Sequence, residues 1–108
     1  MELMYQNVVE MMDRCCEEYA DLPMYGAPVD GDYNWMTFRD FAKTVAELGG
    51  GLDLLGVGVG DRVGIISNNM IPWATMAYAA FSAGAVYVPM YPQQNKEQWQ
   101  YILHDSSC

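Results

Sequence analysis

The feature that most constrains the fold of this chain is the order of short apolar runs and turn residues in its second half. An apolar run at residues 63–66 follows a Gly-Asp-Arg turn, and a second run at residues 86–88 is stopped by Pro89. The segment between them predicts a helix that begins near Pro72 and ends at Gly84, because proline favours the first helical turn and glycine the position after the last one. Strand, helix and strand in this order form a βαβ unit, which is typical of a parallel sheet with helices on its faces.

A helix and a hairpin are predicted at the N-terminal end. Residues 3–19 carry apolar side chains at a spacing of three to four, which indicates a helix that buries one face. The members of this stripe are Met4, Val8, Met11, Met12, Cys15 and Tyr19. An Asp-Gly pair at residues 30–31 separates two short extended runs and predicts a β-hairpin. Tyr33 and Trp35 would share one face of that hairpin, where packing is the favoured role for both.

The next helix begins after Thr37, which is placed to cap it, and Asp40 occupies the position of the acidic partner in a capping box. Its apolar stripe consists of Phe38, Phe41, Ala42, Val45, Leu48, Leu52 and Leu55. Three consecutive glycines at residues 49–51 would let a neighbouring element approach closely. Gly56 is placed to end the helix in a left-handed conformation.

Asn68 and Asn69 have the position of a ligand site, because ligands of parallel sheets collect beyond the carboxyl ends of strands. Two interpretations stay open: Asn69 caps the following helix, or the pair contacts a ligand. Asn95 and Gln98 form another capping pattern, which opens a last helix. The glycine-rich run at residues 56–60 is interpreted as a turn, because it follows a helix and opens a strand, so no helix N-terminus is available for a phosphate.

Composition indicates a globular protein and excludes several partners. The 108 residues are 52% hydrophobic and 18% charged, with a formal net charge of −9. The few basic residues are scattered, which argues against nucleic acid and against anionic membrane surfaces. Asparagine, glycine and proline cut the longest uncharged segment into pieces too short for a membrane span, so no transmembrane segment is expected.

The sequence assigns no catalytic, cofactor-binding or metal-binding residue. Cys15, Cys16 and Cys108 are odd in number and two are adjacent, so neither a disulfide framework nor a zinc site follows, and reduced thiols of an intracellular protein are expected. His104 is the only histidine, and no pattern pairs it with a serine or cysteine.

The apolar runs also indicate that residues 1–108 are an incomplete part of a larger domain. Strands that are apolar on both faces need cover on both, and two parallel strands with a hairpin cannot shield themselves. An unpaired strand edge and an uncovered face would promote aggregation. We therefore expect an α/β fold with a partial parallel sheet, flanking helices and a β-hairpin.

Five elements of the sequence occur in an order that is informative beyond composition. They are Met36-Thr37-Phe38-Arg39-Asp40-Phe41, Leu55-Gly56-Val57 with Gly60-Asp61-Arg62-Val63, the pair Asn69 and Trp73, Ala83-Gly84-Ala85-Val86-Tyr87-Val88-Pro89-Met90-Tyr91, and Tyr101-Ile102-Leu103-His104-Asp105-Ser106. In this order they resemble the N-terminal part of the AMP-forming acyl-CoA synthetases, which share the adenylate-forming fold with firefly luciferase and the adenylation domains of peptide synthetases. Residues 89–102 are most similar to the long-chain fatty acyl-CoA synthetases.

The resemblance implies a two-step ligase in which ATP and a fatty acid give an acyl-adenylate and coenzyme A then takes the acyl group. The family's phosphate loop, its adenine- and ribose-binding motifs and its catalytic lysine all lie downstream of the matched elements. The resemblance therefore transfers no site residue, and this segment is expected to bind no cofactor and to be inactive alone. The parent enzyme would use ATP, Mg²⁺ and coenzyme A, in the cytosol or on the cytosolic face of an organelle membrane.

The expected partners are the remainder of the same synthetase chain and, through it, the fatty acid. An alternative from another class is a stand-alone acidic interaction module without catalysis. A small Rossmann-like nucleotide binder is a third possibility, but it needs a glycine turn after a strand, and the sequence has none there.

Overall fold

The computed structural model describes residues 4–108, which form a small α/β fold. The elements are α1 (Val8–Glu18), β1 (Pro23–Val29), β2 (Asp32–Thr37), α2 (Phe38–Leu54), β3 (Arg62–Ile66), α3 (Ile71–Ser82), β4 (Val86–Met90) and α4 (Lys96–Asp105). Strands β1 and β2 pair as an antiparallel hairpin, and β3 and β4 pair in parallel across α3. The predicted βαβ unit and hairpin are confirmed. None of the helices within residues 4–108 is long and apolar enough to cross a membrane.

The sequence predicted that Pro89 stops strand β4, and this prediction is wrong. Pro89 pairs with Ile65 inside the strand, which continues to Met90. The Val86 N–H donates to the carbonyl of Asp61 at 2.7 Å, so alternate N–H groups of β4, starting from Val86, point toward β3. Position 89 falls on the outer edge, where a missing N–H removes no bond of the pair.

The β3–β4 pair carries a helix on each face, as the predicted flanking helices imply, but part of the face next to α4 stays exposed. On one face the ring of Tyr87 packs edge to face on Trp73 of α3, with 5.3 Å between ring centroids. On the other face a Cβ atom added to Gly64 would lie 3.3 Å from Leu103 of α4. The cover is partial, because Ile66 remains 45% exposed.

Both ends of α2 follow from local sequence. The Thr37 hydroxyl accepts a hydrogen bond from the Asp40 N–H at 3.1 Å, which confirms the predicted cap. No return bond from the Asp40 carboxylate forms within residues 4–108, so half of the capping box is present. At the other end Gly56 adopts φ 85°, and the Val57 N–H donates to the Leu52 carbonyl at 3.0 Å. These are the features of a Schellman motif, as predicted for Gly56.

Fewer apolar side chains are buried than the predicted stripes implied. Phe41 is fully buried between the rings of Tyr25 and Tyr78. Leu55 is 81% exposed and lies one residue beyond the end of α2, so the predicted stripe extended too far. In α1 it is Cys16, not a member of the predicted stripe, that is buried.

Helix α1 begins at Val8 after the cap Asn7, later than the predicted start at Leu3, and Leu3 itself lies outside the described residues. The glycines at residues 49–51 were predicted to allow close approach of another element. That prediction is wrong: no atom of a neighbouring element in the described chain lies within 4 Å of a Cβ built on any of them. On the hairpin, Tyr33 and Trp35 share a face and stack at 5.8 Å, as predicted.

Candidate functional site

The carboxyl end of β3 leads directly into the two asparagines that the sequence singled out. Asn68 and Asn69 are both exposed. The cap of α3 is Met70, which has no side-chain cap hydrogen bond, so the capping interpretation of Asn69 is wrong. The first turn offers little to a capping side chain, because Pro72 has no N–H and the Trp73 N–H already donates to the Met70 carbonyl at 3.0 Å.

Asn69 instead lines a groove of about 660 Å³ between β1 and the first turn of α3. One wall is formed by residues 25–28 of the hairpin and the other by residues 70–74. Most of the lining residues are apolar, and Asn69 is one of the few that carry a polar side chain. Small-molecule sites in proteins combine an apolar wall with a few polar groups in this way. Asn68 does not line the groove.

Trp73, which lines the groove, is held in place by strand β4. The Tyr87 hydroxyl donates to the main-chain carbonyl of Trp73 at 2.9 Å. Burial raises the pKa of Tyr87 to about 12, so its hydroxyl is a neutral donor at physiological pH. The wall that faces β1 is therefore anchored to the parallel strands. The sequence contained no signal for this link, because its partners lie 14 residues apart in different elements.

A second, smaller cavity of about 270 Å³ lies between α1, α2 and α3. Cys16, Phe41 and Tyr78 are among its lining residues. Burial, followed by the negative charge of Asp13, raises the pKa of Cys16, so the thiol stays protonated and is a poor nucleophile. Burial likewise raises the pKa of Tyr78. This cavity is part of the helical core and holds no activated group.

The other sequence candidates do not converge on the groove. His104 is exposed in the last turn of α4, and Cys15, Cys16 and Cys108 are free thiols. Within residues 4–108 no group of three or more histidine, cysteine, aspartate or glutamate side chains could hold a metal ion. The residues that line the groove include no pair of an acid and a base for proton transfer.

The glycine-rich segment forms a turn, as interpreted from the sequence. The Gly58 N–H donates to the Asp61 carboxylate at 2.7 Å, and the Gly60 N–H donates to the Gly84 carbonyl at 3.0 Å. The amides of this turn therefore bond within the protein and join α2 to β3 and to the end of α3.

The sequence and the fold both match known proteins. The model of the AMP-binding enzyme family matches residues 12–108. A long-chain-fatty-acid–CoA ligase of Mycobacterium bovis, FadD15, is 33% identical over 104 residues, which are 96% of this chain and 17% of the ligase. The ligase heimdall of Drosophila melanogaster, also named for long-chain fatty acids, is 34% identical over 104 residues, 91% of this chain and 15% of that protein. The chain thus spans less than a fifth of either relative.

Solved structures show the same fold. A fatty acyl CoA synthetase of Mycobacterium tuberculosis superposes with a TM-score of 0.85 at 26% identity, over 93% of this chain and 20% of that one. The N-terminal subdomain of NpsA from Klebsiella oxytoca superposes with a TM-score of 0.82 at 20% identity, over 96% of this chain and 26% of that one. These superpositions confirm the predicted adenylate-forming fold. With the match over residues 12–108, they show that the chain belongs to the family of AMP-binding enzymes.

Proposed function

We propose that this chain is part of the N-terminal region of an AMP-forming ligase that activates a fatty acid and transfers it to coenzyme A. The observation that carries the proposal is the family match over residues 12–108, together with relatives named for long-chain fatty acids. In the first step the carboxylate oxygen attacks the α-phosphorus of ATP and pyrophosphate leaves. In the second step the coenzyme A thiol attacks the acyl carbon and AMP leaves. The parent enzyme would supply the sites for ATP, Mg²⁺ and coenzyme A.

Residues 1–108 would contribute scaffold and one wall of a binding groove rather than chemistry. The Asn69 carboxamide offers a donor and an acceptor at an otherwise largely apolar groove. This combination suits a ligand with an apolar body and one polar end. We therefore infer that Asn69 contacts the ligand, and that no residue of this chain transfers a proton in the reaction.

Exposed apolar side chains support the proposal that residues 1–108 are an incomplete part of a larger domain. Leu54 and Leu55 at the end of α2 and Val59 in the turn that follows are 90%, 81% and 89% exposed. Clusters of exposed apolar side chains are uncommon on monomeric proteins and mark surfaces that another segment covers.

A chimera tests the proposed function. Residues 12–108 replace the matching segment of the Mycobacterium bovis ligase, and formation of palmitoyl-CoA from palmitate, ATP and coenzyme A is measured. We expect an active chimera, and Asn69→Ala is expected to lower its kcat/KM while the neighbouring Asn68→Ala leaves it unchanged. A soluble, folded but inactive chimera would contradict membership of the acyl-CoA ligases.

The isolated chain is expected to catalyse no ATP–pyrophosphate exchange with palmitate. Exchange above a buffer control would overturn the proposal that these residues hold no catalytic group.

A second candidate, a stand-alone acidic interaction module, is favoured by one observation: both faces of the parallel pair carry a helix. It predicts that the isolated chain, with its net charge of −9, is monomeric and unfolds in one sharp thermal transition. Sedimentation and a thermal melt separate the two candidates, because a partial domain is expected to self-associate through its exposed apolar surface.

A further inference from the structure

We propose that the cavity between α1, α2 and α3 binds a small organic cation, in which a protonated amine is carried on an apolar, aromatic body. The cavity has a volume of about 270 Å³ and shares no lining residue with the groove that Asn69 lines. The inference goes beyond the proposed function, because neither step proposed for the ligase uses this cavity.

The volume of the cavity suits a ligand body of two fused rings. An apolar cavity of about 150 Å³ is enough to hold benzene, so about 270 Å³ leaves room for a bicyclic body with a short arm. Gly49 keeps the wall formed by α2 open. It lines the cavity, and no atom of a neighbouring element within residues 4–108 lies within 4 Å of a Cβ built on it.

The lining of the cavity is mostly apolar and in part aromatic. Val9 and Met12 of α1 and Val45 of α2 contribute aliphatic side chains. Phe41 and Tyr78 contribute two rings, which pack edge to face with their centroids 5.7 Å apart. Aromatic rings pack well against other rings in offset and edge-to-face arrangements. These residues therefore favour an aromatic ligand body.

Asp13 gives the cavity a negative charge where it opens to solvent. Among the residues of the described chain that line the cavity, it is the only charged one, and it is exposed. No ion pair within residues 4–108 includes its carboxylate. An amine at the mouth of the cavity would be attracted by this charge, whereas an anion would be repelled.

The other polar groups of the lining are uncharged and do not offset the charge of Asp13. Burial raises the pKa of Cys16 and that of Tyr78, so the thiol and the phenol are both neutral at physiological pH. The Ser82 hydroxyl donates to the Tyr78 carbonyl at 2.8 Å, so its proton is used within α3. The cavity thus combines an apolar interior with a single negative charge at its mouth.

The test uses three ligands with one indole ring and a short arm that ends in an ammonium, a hydroxyl or a carboxylate group: tryptamine, tryptophol and indole-3-acetate. Each is titrated at pH 7 into the full chain carrying ¹³C-labelled methionine methyl groups, and the methyl signals are followed by NMR. Met12 lines the cavity and Met70 lines the groove, so their signals, assigned through Met12→Leu and Met70→Leu, tell which of the two is occupied.

We expect saturable shifts of the Met12 signal with tryptamine, which should bind about two- to fivefold more tightly than tryptophol, because an ion pair at an exposed site is worth little more. Indole-3-acetate should bind most weakly. Asp13→Asn should reduce the affinity for tryptamine to that for tryptophol. The matched control is Glu97→Gln, which also removes one negative charge but lies on α4, away from the cavity, and it should leave the preference for tryptamine unchanged.

A second pair of variants tests the location. Gly49→Leu should fill the cavity and abolish the shifts of Met12. Gly50→Leu makes the same change at a neighbouring residue that does not line the cavity, so it should retain them. Binding that survives Gly49→Leu, or shifts at Met70 instead of Met12, would overturn the assignment of the cavity. Equal affinities for the three ligands would overturn the preference for a cation, and a folded chain without saturable shifts would overturn the proposal altogether.

Discussion

The hydroxyl of Tyr87 donates to the main-chain carbonyl of Trp73 at 2.9 Å, and the two rings meet edge to face with centroids 5.3 Å apart. Helix α3 has no side-chain cap, so this contact is a principal link between its first turn and the sheet. It also fixes one wall of the groove that Asn69 lines.

Removing this hydroxyl should loosen the first turn of α3. We expect Tyr87→Phe to lower the free energy of unfolding by about 1 kcal/mol, since the hydrogen bond is lost and the Trp73 carbonyl is left partly buried without it. Urea denaturation followed by tryptophan fluorescence measures the change. The matched control is Tyr101→Phe, because Tyr101 is 70% exposed. Equal effects of the two substitutions would contradict a structural role for the Tyr87 hydroxyl.

The same residue should make stability depend on alkaline pH. The pKa of Tyr87 is raised by burial to about 12, above about 10 for an unfolded tyrosine. A raised pKa means that the folded state holds the proton more tightly. The contribution of the Tyr87 proton to the free energy of unfolding is therefore complete below pH of about 10 and is lost as the pH rises toward 12. Urea midpoints of the unmutated chain should therefore fall more steeply between these pH values than those of Tyr87→Phe. Tyr78 is common to both proteins, and parallel curves would contradict the assignment.

Two glycines should respond to alanine with opposite signs. Gly84 has φ +74°, and an added Cβ would lie 3.0 Å from the Val59 side chain. We expect Gly84→Ala to destabilise by about 1–2 kcal/mol or more, since left-handed backbone is costly for alanine and the contact must also relax. Gly49 lies inside α2 with nothing within 4 Å of an added Cβ, so Gly49→Ala should stabilise by up to about 1 kcal/mol. Thermal denaturation of both variants checks the signs, and equal signs would contradict the backbone analysis.

Two asparagines at similar sequence positions should differ as helix caps. At the start of α4 the Asn95 side chain accepts from the Gln98 N–H, and the Gln98 side chain accepts from the Asn95 N–H, both at 2.9 Å. Asn95→Ala should cost about 1 kcal/mol, whereas Asn69→Ala, which removes no cap, should stay within about 0.5 kcal/mol. Chemical denaturation measures both. A larger loss at Asn69 would restore the capping interpretation that the structure contradicts.

The contrast between these asparagines shows which parts of the fold could be predicted. Asn95 was identified correctly because a capping box is complete within four residues of sequence. The sequence leaves two interpretations of Asn69 open, and the capping one is wrong because the cap position depends on where α3 starts. Pro72 has no N–H and the Trp73 N–H bonds to the Met70 carbonyl, so a cap at Asn69 would find no donor to satisfy. The groove itself was not predictable, since β1 and α3 are brought together only by packing.

Pro89 and Cys16 make the same point at the level of pairing and burial. In the sequence alone, Pro89 indicates the end of a strand. Only the pairing with β3 shows that its missing N–H lies on the outer edge of β4. Cys15 and Cys16 are neighbours on α1, and only Cys16 is buried. A stripe of apolar residues locates the buried side of a helix only to within one residue position, so the sequence could not tell which cysteine is buried.

The sequence by itself determined the family, the order of helices and strands and most of their ends, because these depend on local spacing and on residues with narrow backbone preferences such as Thr37, Gly56 and Gly84. Only the tertiary structure decided which faces are covered, that Pro89 lies on the outer edge of β4, and that Asn69 lines a groove rather than capping a helix. These properties depend on contacts between residues far apart in the chain, and local spacing carries no information about which distant surface a side chain meets.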